Sequence, residues 1–257
     1  MKEKKILYYK DELNDEFSGI QRNTKEIGKG YKYFHGFLWN TAAFIVYRVF
    51  IYPFAVIYCK IKFHLKIENR KIFKSVKGGY FMFANHTQVP GDGFFSAFCA
   101  FPKKHAVLVN ADNVSLKGTE NLMLMLGALP IPNKINGIKD FFGALERLYD
   151  KGTPITVYPE AHIWPYYTKI RPFTSVSMHY PVKLGAPSFA YTVTYQKRKH
   201  SEKPNVVIYC DGPFYGEGET DKIKEEDLKN KLYISMVNRS ENSDCEYIIY
   251  KKAEKND

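Results

Sequence analysis

Gly78–Ser96 reads GGYFMFANHTQVPGDGFFS, a short aromatic-rich apolar run that opens on a glycine pair and closes on a histidine. Tyr80–Ala84 has the composition and length of a buried strand. His86 then falls at the strand's end. A Pro90-Gly91 turn follows, and Asp92 stands at the N-cap of the apolar run after it, where its carboxylate accepts from free backbone N–H groups. Two titratable side chains are thus expected at the carboxyl end of a strand, where α/β proteins keep their sites.

Outward from this stretch, strands alternate with helices. Strands are predicted near Tyr80–Ala84, Ala106–Asn110, Ile155–Tyr158, Phe189–Thr194 and Val206–Cys210. Helices are predicted near Gly93–Ala100, Leu116–Leu126, Gly137–Tyr149, Thr174–Leu184 and Glu225–Val237. This alternation specifies an α/β fold, a mixed sheet flanked by helices. Tyr195–Pro204 and Glu217–Glu226 are charged and read as solvated connections.

Ahead of this region the composition is different. Residues 1–32 are hydrophilic and show no secretory signal, and 33–66 form an apolar helical segment that precedes an α/β domain at 67–257. Phe37–Cys59 contains a single charge, Arg48, with lysines on both flanks. Its length suffices to span a bilayer. A charge at mid-bilayer costs about 2.5–3.5 kcal/mol and Pro53 interrupts the helix, so the expectation is two short helices hinged near Pro53 and lying in one leaflet, with Arg48 reaching the headgroups. A spanning helix and a buried helix pair are the alternatives.

The net charge of +11 fits an anionic membrane or nucleic acid. The lysines are scattered rather than interleaved with stacking aromatics, and the apolar segment favours the membrane over nucleic acid. The four cysteines lie far apart without metal-ligand spacing, which predicts reduced thiols and no metal site.

Three blocks give the His86–Asp92 pair its meaning. Asn85-His86 with Asp92 is followed by Gly127, Leu129 and Ile131, with Asn133 and Lys134 after them, and then by Tyr158-Pro159-Glu160-Ala161. In order and spacing, from about Lys71 to Cys210, they resemble the PlsC-like glycerolipid acyltransferases. Gly185-Ala186-Pro187 is similar to a fourth block. Three departures stand out: five residues rather than four between histidine and aspartate, Asn133 in place of an arginine, and Ala161 in place of a glycine.

The resemblance implies acyl transfer from a thioester (acyl-CoA or acyl carrier protein) to the hydroxyl of a lyso-glycerolipid, foremost lysophosphatidic acid, at the cytoplasmic face of the membrane and with no other cofactor. A catalytically altered lipid-binding relative is the alternative. Imidazole suits the removal of a hydroxyl proton near neutrality, so His86 is the candidate base and Asp92 its orienting partner. The resemblance assigns Glu160 to acceptor binding; a structural role is its alternative. Arg171 and Lys134 are the candidates to replace the missing arginine on the acceptor phosphate, with Asn133 as an uncharged donor. His162 is an acceptor contact or a structural histidine. The Leu122–Leu126 run lines an acyl tunnel or fills a core, and Trp164, Tyr166 and Tyr167 rim an entrance or pack a loop.

Overall fold

The computed structural model describes residues 4–17, 19, 25–89, 91–114 and 119–253. Pro90 and Leu116–Gly118, which belong to the turn and helix expected there, lie outside them.

At the centre of the fold is β3 (Tyr80–Ala84), all five residues buried. Its alternation splits the core: Tyr80, Met82 and Ala84 enter one apolar cluster, Phe81 and Phe83 the other. Around it run β2 (Lys66–Glu68), β4 (Ala106–Val109), β5 (Ala128–Pro130), β6 (Pro154–Val157), β7 (Ser188–Arg198) and β8 (Ser201–Phe214), in the sheet order β2-β8-β7-β3-β6-β4-β5. The β7–β8 pair is antiparallel and the other pairs are parallel. The sheet is mixed and flanked by helices, as expected.

Helix α3 (Gly91–Ala100) places Phe95, Phe98 and Cys99 in the first cluster. On the other face, α5 (Ile138–Asp150) contributes Phe141, Ala144 and Leu145, and α7 (Asp221–Ser240) contributes Leu228, Leu232 and Met236. The short α4 (Glu120–Met125) and α6 (His179–Leu184) complete the layers. Tyr195–Pro204 is not a loop: β7 and β8 run past the sheet as a hairpin, whose ends are charged because both faces meet water there. Helix α7 likewise begins at Asp221, inside the second expected connection, with Thr220 as its cap.

The apolar segment is one helix, not two hinged ones. Phe37–Phe63 runs as α1 (Phe37–Ile45), a π-helical stretch (Val46–Ile51) and α2 (Tyr52–Phe63), and is long and apolar enough to cross a membrane. Ala43, Tyr47, Ala55, Cys59 and Phe63 face the core at spacings of four or eight residues. In a straight α-helix such a seam rotates by about 40° every four residues. The wider π turn, in which Tyr52 N–H donates to Tyr47 O, takes up part of that drift just before Pro53, which has no N–H to give. Phe37, Leu38, Phe44, Phe50, Phe54, Ile57 and Ile61 remain exposed on the outer face. Arg48 donates to the carbonyl of Pro102 and lies 5.1 Å from the Phe101 ring, so it is tied to the domain rather than extended outward.

The N-terminal segment is integrated into the domain. Its strand β1 (Lys5–Tyr9) pairs in parallel with β9 (Ile248–Lys252) in a separate two-stranded sheet, and Ile27 is buried beside Ala111 and Val114.

Candidate active site

Strands β3 and β6 are parallel neighbours, with Tyr80 opposite Pro154, so their carboxyl ends bring His86 and the Tyr158–Glu160 segment together. From β3 the chain crosses to β4 on one side, and from β6 to β7 on the other. The site therefore lies at the switch point of the sheet.

His86 Nδ1 lies 2.7 Å from Asp92 Oδ2, and the same oxygen accepts from Gln88 N at 2.9 Å. Helix α3 begins at Gly91, which moves Asp92 from the expected cap into the first turn. The extra residue between His86 and Asp92 is accommodated before the helix. Burial raises the Asp92 pKa, opposed by hydrogen bonds from His86 and from the backbone of Gln88 and Thr87. The His86 ring stacks on Tyr158 with centroids 4.3 Å apart, and Tyr158 OH donates to Asp92 O at 2.7 Å. These contacts turn Nδ1 toward the carboxylate; with the proton on Nδ1, Nε2 is the ring nitrogen able to accept one.

Two cavities of about 300 and 310 Å³ open at this ring. They share His86, Gly93, His105, Met123, Leu126 and Ile163. One extends beneath the apolar helix along Tyr47, Ile51, Tyr52 and Ala55; the other follows Val107, Val109, Ile131 and Val157. Met123 and Leu126 of the Leu122–Leu126 run thus line cavity wall. His105 was not singled out from the sequence, where only two lysines precede it. It is buried, its Nδ1 is 3.3 Å from Tyr47 OH, and burial lowers its pKa to about 3, so it is a neutral polar group in an apolar wall. Gly127 turns beside it at φ +103°, where a Cβ would collide with His105 O. Only glycine fits there.

The other candidates stand away from the cavities. Glu160 is buried and braces the backbone: its carboxylate accepts from His86 N at 3.0 Å and Arg171 N at 2.9 Å. Burial raises its pKa, opposed by the Arg171 guanidinium and these two N–H groups. Arg171 has no exposed side-chain surface. It pairs with Glu160 at 3.4 Å, donates to the carbonyls of Glu12, Glu160 and His162, and stacks over Trp164. It therefore does not present its guanidinium to an acceptor phosphate. Asn133 accepts from Ile27 N and donates to Lys25 O, tying down the N-terminal segment, while Lys134 lies half exposed 3.9 Å from Glu26. Neither lines the two cavities. His162 Nδ1 lies 3.0 Å from Glu16 Oε2. Trp164 is buried, its Nε1 donating to Asp15 O, as in a packed loop.

Ala161, where the resemblance expects glycine, takes φ +61° all the same. His162 N donates to Glu160 O at 2.7 Å, so Ala161 is the centre of a γ-turn of the strained positive-φ kind. Left-handed backbone costs an L-residue about 1–2 kcal/mol, and glycine returns part of the gain as unfolded-chain entropy. Ala161→Gly is expected to raise stability by about 0.5–1 kcal/mol. A denaturant midpoint at or below the parent's would show the turn to be relaxed.

No protein-family model matches the sequence, and comparison with curated proteins gives no match. Among solved structures the chain is similar to the 1-acyl-sn-glycerophosphate (LPA) acyltransferase PlsC from Thermotoga maritima, at 16% identity and a TM-score of 0.51, over 79% of this chain and 92% of that one. At that identity the likeness is one of architecture, and the chain shares the fold of that acyltransferase.

Proposed function

We propose that this protein transfers an acyl group from a thioester donor to the hydroxyl of a lyso-glycerolipid at a membrane surface. The observation that carries this reading is the His86–Asp92 pair, 2.7 Å apart, opening onto apolar cavities that extend beneath an apolar helix. The fold shared with a lysophosphatidic acid acyltransferase supports it.

His86 Nε2 takes the acceptor's hydroxyl proton as the oxygen attacks the thioester carbonyl, and Asp92 stabilises the imidazolium that forms. The imidazolium returns the proton to the departing thiolate. No protein nucleophile is required. Tyr158 keeps the ring in plane, and the apolar walls hold acyl chain while excluding water. The exposed face of Phe37–Phe63 lies in the bilayer, in the monotopic arrangement and on the cytoplasmic side.

The acceptor that the resemblance implies, lysophosphatidic acid, carries a phosphate, and the described residues lining the two cavities include no lysine or arginine. Buried phosphate calls for cations or backbone donors. We therefore assign acceptor recognition to the glycerol and acyl chain more than to the phosphate. Purified protein given acyl-CoA or acyl carrier protein thioester is expected to acylate both lysophosphatidic acid and monoacylglycerol, with kcat/KM values within about tenfold, less than a buried charged contact confers. Absence of acylated product from every combination overturns the proposal.

Gly93 lines both cavities from α3 with open space where a side chain would stand. Gly93→Leu is expected to shift preference toward shorter donors, changing the long-to-short ratio of kcat/KM by about tenfold for a side chain of this size. An unchanged ratio would place the acyl chain elsewhere.

A further inference from the structure

At the opposite ends of β3 and α3 from His86 and Asp92 lies a third cavity, of about 650 Å³. Its separation from the dyad is the length of α3, about 15 Å. Phe73, Val76 and Tyr80 form its apolar floor, and Arg70, Lys71, Lys74 and Lys103 stand around it without a carboxylate in the lining. Among the described residues none of these four cations makes a salt bridge.

Local structure gathers them. Arg70–Lys74 is a 3-10 helix, in which residues three apart eclipse, so Lys71 and Lys74 share a face while Phe73 is buried beside them. Arg70 donates to Phe101 O, and Lys103 donates to Gly78 O and lies 5.2 Å from the Tyr80 ring. Both are positioned by neutral carbonyls, which leaves their charge uncompensated. Burial lowers the Lys103 pKa, a cost that an incoming anion relieves.

The cavity borders the apolar helix. Phe101, partly exposed, lines it and stacks on Tyr52 with centroids 5.0 Å apart, between Arg48 and Arg70. Apolar floor, basic rim and a border on the proposed membrane face match one kind of ligand. We propose that this cavity binds an anionic glycerophospholipid of the bilayer, its phosphate among Arg70, Lys71, Lys74 and Lys103 and its glycerol and upper acyl chain over Phe73, Val76 and Tyr80, as a site separate from the catalytic cleft. The assignment depends on the membrane association proposed above. A lipid here fixes the helix at headgroup depth and ties residence on the membrane to its content of anionic lipid.

The test is co-sedimentation of the full chain with phosphatidylcholine vesicles and with vesicles carrying about one-fifth phosphatidylglycerol, an anionic headgroup that attracts each nearby cation by about a factor of five. The parent is expected to bind the anionic vesicles more tightly. Lys71→Gln, Lys74→Gln and Lys103→Gln combined are expected to lose about a hundredfold of that affinity while binding to neutral vesicles is kept. The same charge change on α7, Lys222→Gln, Lys224→Gln and Lys229→Gln, is expected to lose about twofold or less, because those side chains belong to a helix on the far face of the sheet. Val76→Asn is expected to weaken vesicle binding without altering binding of inorganic phosphate. Equal losses in the two triple variants, or an unaltered anionic preference in the cavity variant, overturn the site. Inorganic phosphate that abolishes the preference, with Val76→Asn inert, assigns the cavity to a free anion and overturns the lipid. A parent that binds neither vesicle overturns the membrane reading itself.

Discussion

His86→Ala is expected to abolish acyl transfer while leaving the fold intact. The ring is positioned by Asp92 and Tyr158, and the backbone brace from Glu160 attaches to His86 N, which alanine retains. Asp92→Asn is expected to lower kcat by about 10⁴, because an amide in the carboxylate's place favours the wrong tautomer and leaves the imidazolium without its counter-charge. Burial raises the Asp92 pKa, so this carboxylate starts to take up protons at a higher pH than an exposed aspartate does. Activity therefore falls on the acid side, as protonation of Asp92 removes the counter-charge of the imidazolium. Single-turnover rates against pH, with circular dichroism of each variant as the folding control, check all three expectations. Parent-like turnover in folded His86→Ala would sink the mechanism.

Arg171→Ala is expected to cost about 3–5 kcal/mol of stability, the penalty for leaving a buried carboxylate without its partner. Glu160 would keep only its two backbone donors, and the carbonyls of Glu12 and His162 would lose theirs. Arg171→Lys recovers part of the loss, since an ammonium cannot reach several carbonyls at once as the fork does. Glu160→Gln combined with Arg171→Met is expected to recover part of it: the buried charge is gone and glutamine still accepts from His86 N, while its amide group faces the N–H of residue 171. Urea denaturation of the four proteins decides the matter. A fully stable Arg171→Ala protein whose defect is a raised KM for phosphate-bearing acceptors would return Arg171 to the substrate.

The strands at the centre of the sheet were legible because each is a short apolar run bounded by turn residues, although their partners in the sheet lie far off in sequence. Tyr80–Ala84 begins and ends where the composition changes. The His86–Asp92 contact was legible because only a turn separates its members. The burial of Arg171 was not legible because its partners come from separate places, Glu12, Glu160, His162 and Trp164, and a cation in KIRPF carries no local sign of burial. Neither the γ-turn at Ala161 nor the neutral His105 leaves a trace in residue type. Lys5–Tyr9 and Ile248–Lys252 escaped as strands because each is short, flanked by charge, and paired with the other across nearly the whole chain.

That last pairing also orders events during synthesis. At the usual 5–20 residues per second, on the order of ten to fifty seconds pass between the making of β1 and of its partner β9. The apolar helix leaves the ribosome early in that interval and is exposed for the rest of it. Residues 12–17, which follow β1 and hold Arg171, His162 and Trp164 in place, gain the support of the β1–β9 pair only once β9 exists. On the membrane-bound reading proposed above, the nascent chain thus reaches the bilayer before the loop behind its histidine has its full support, and the proposed competence for acyl transfer is the last property it acquires.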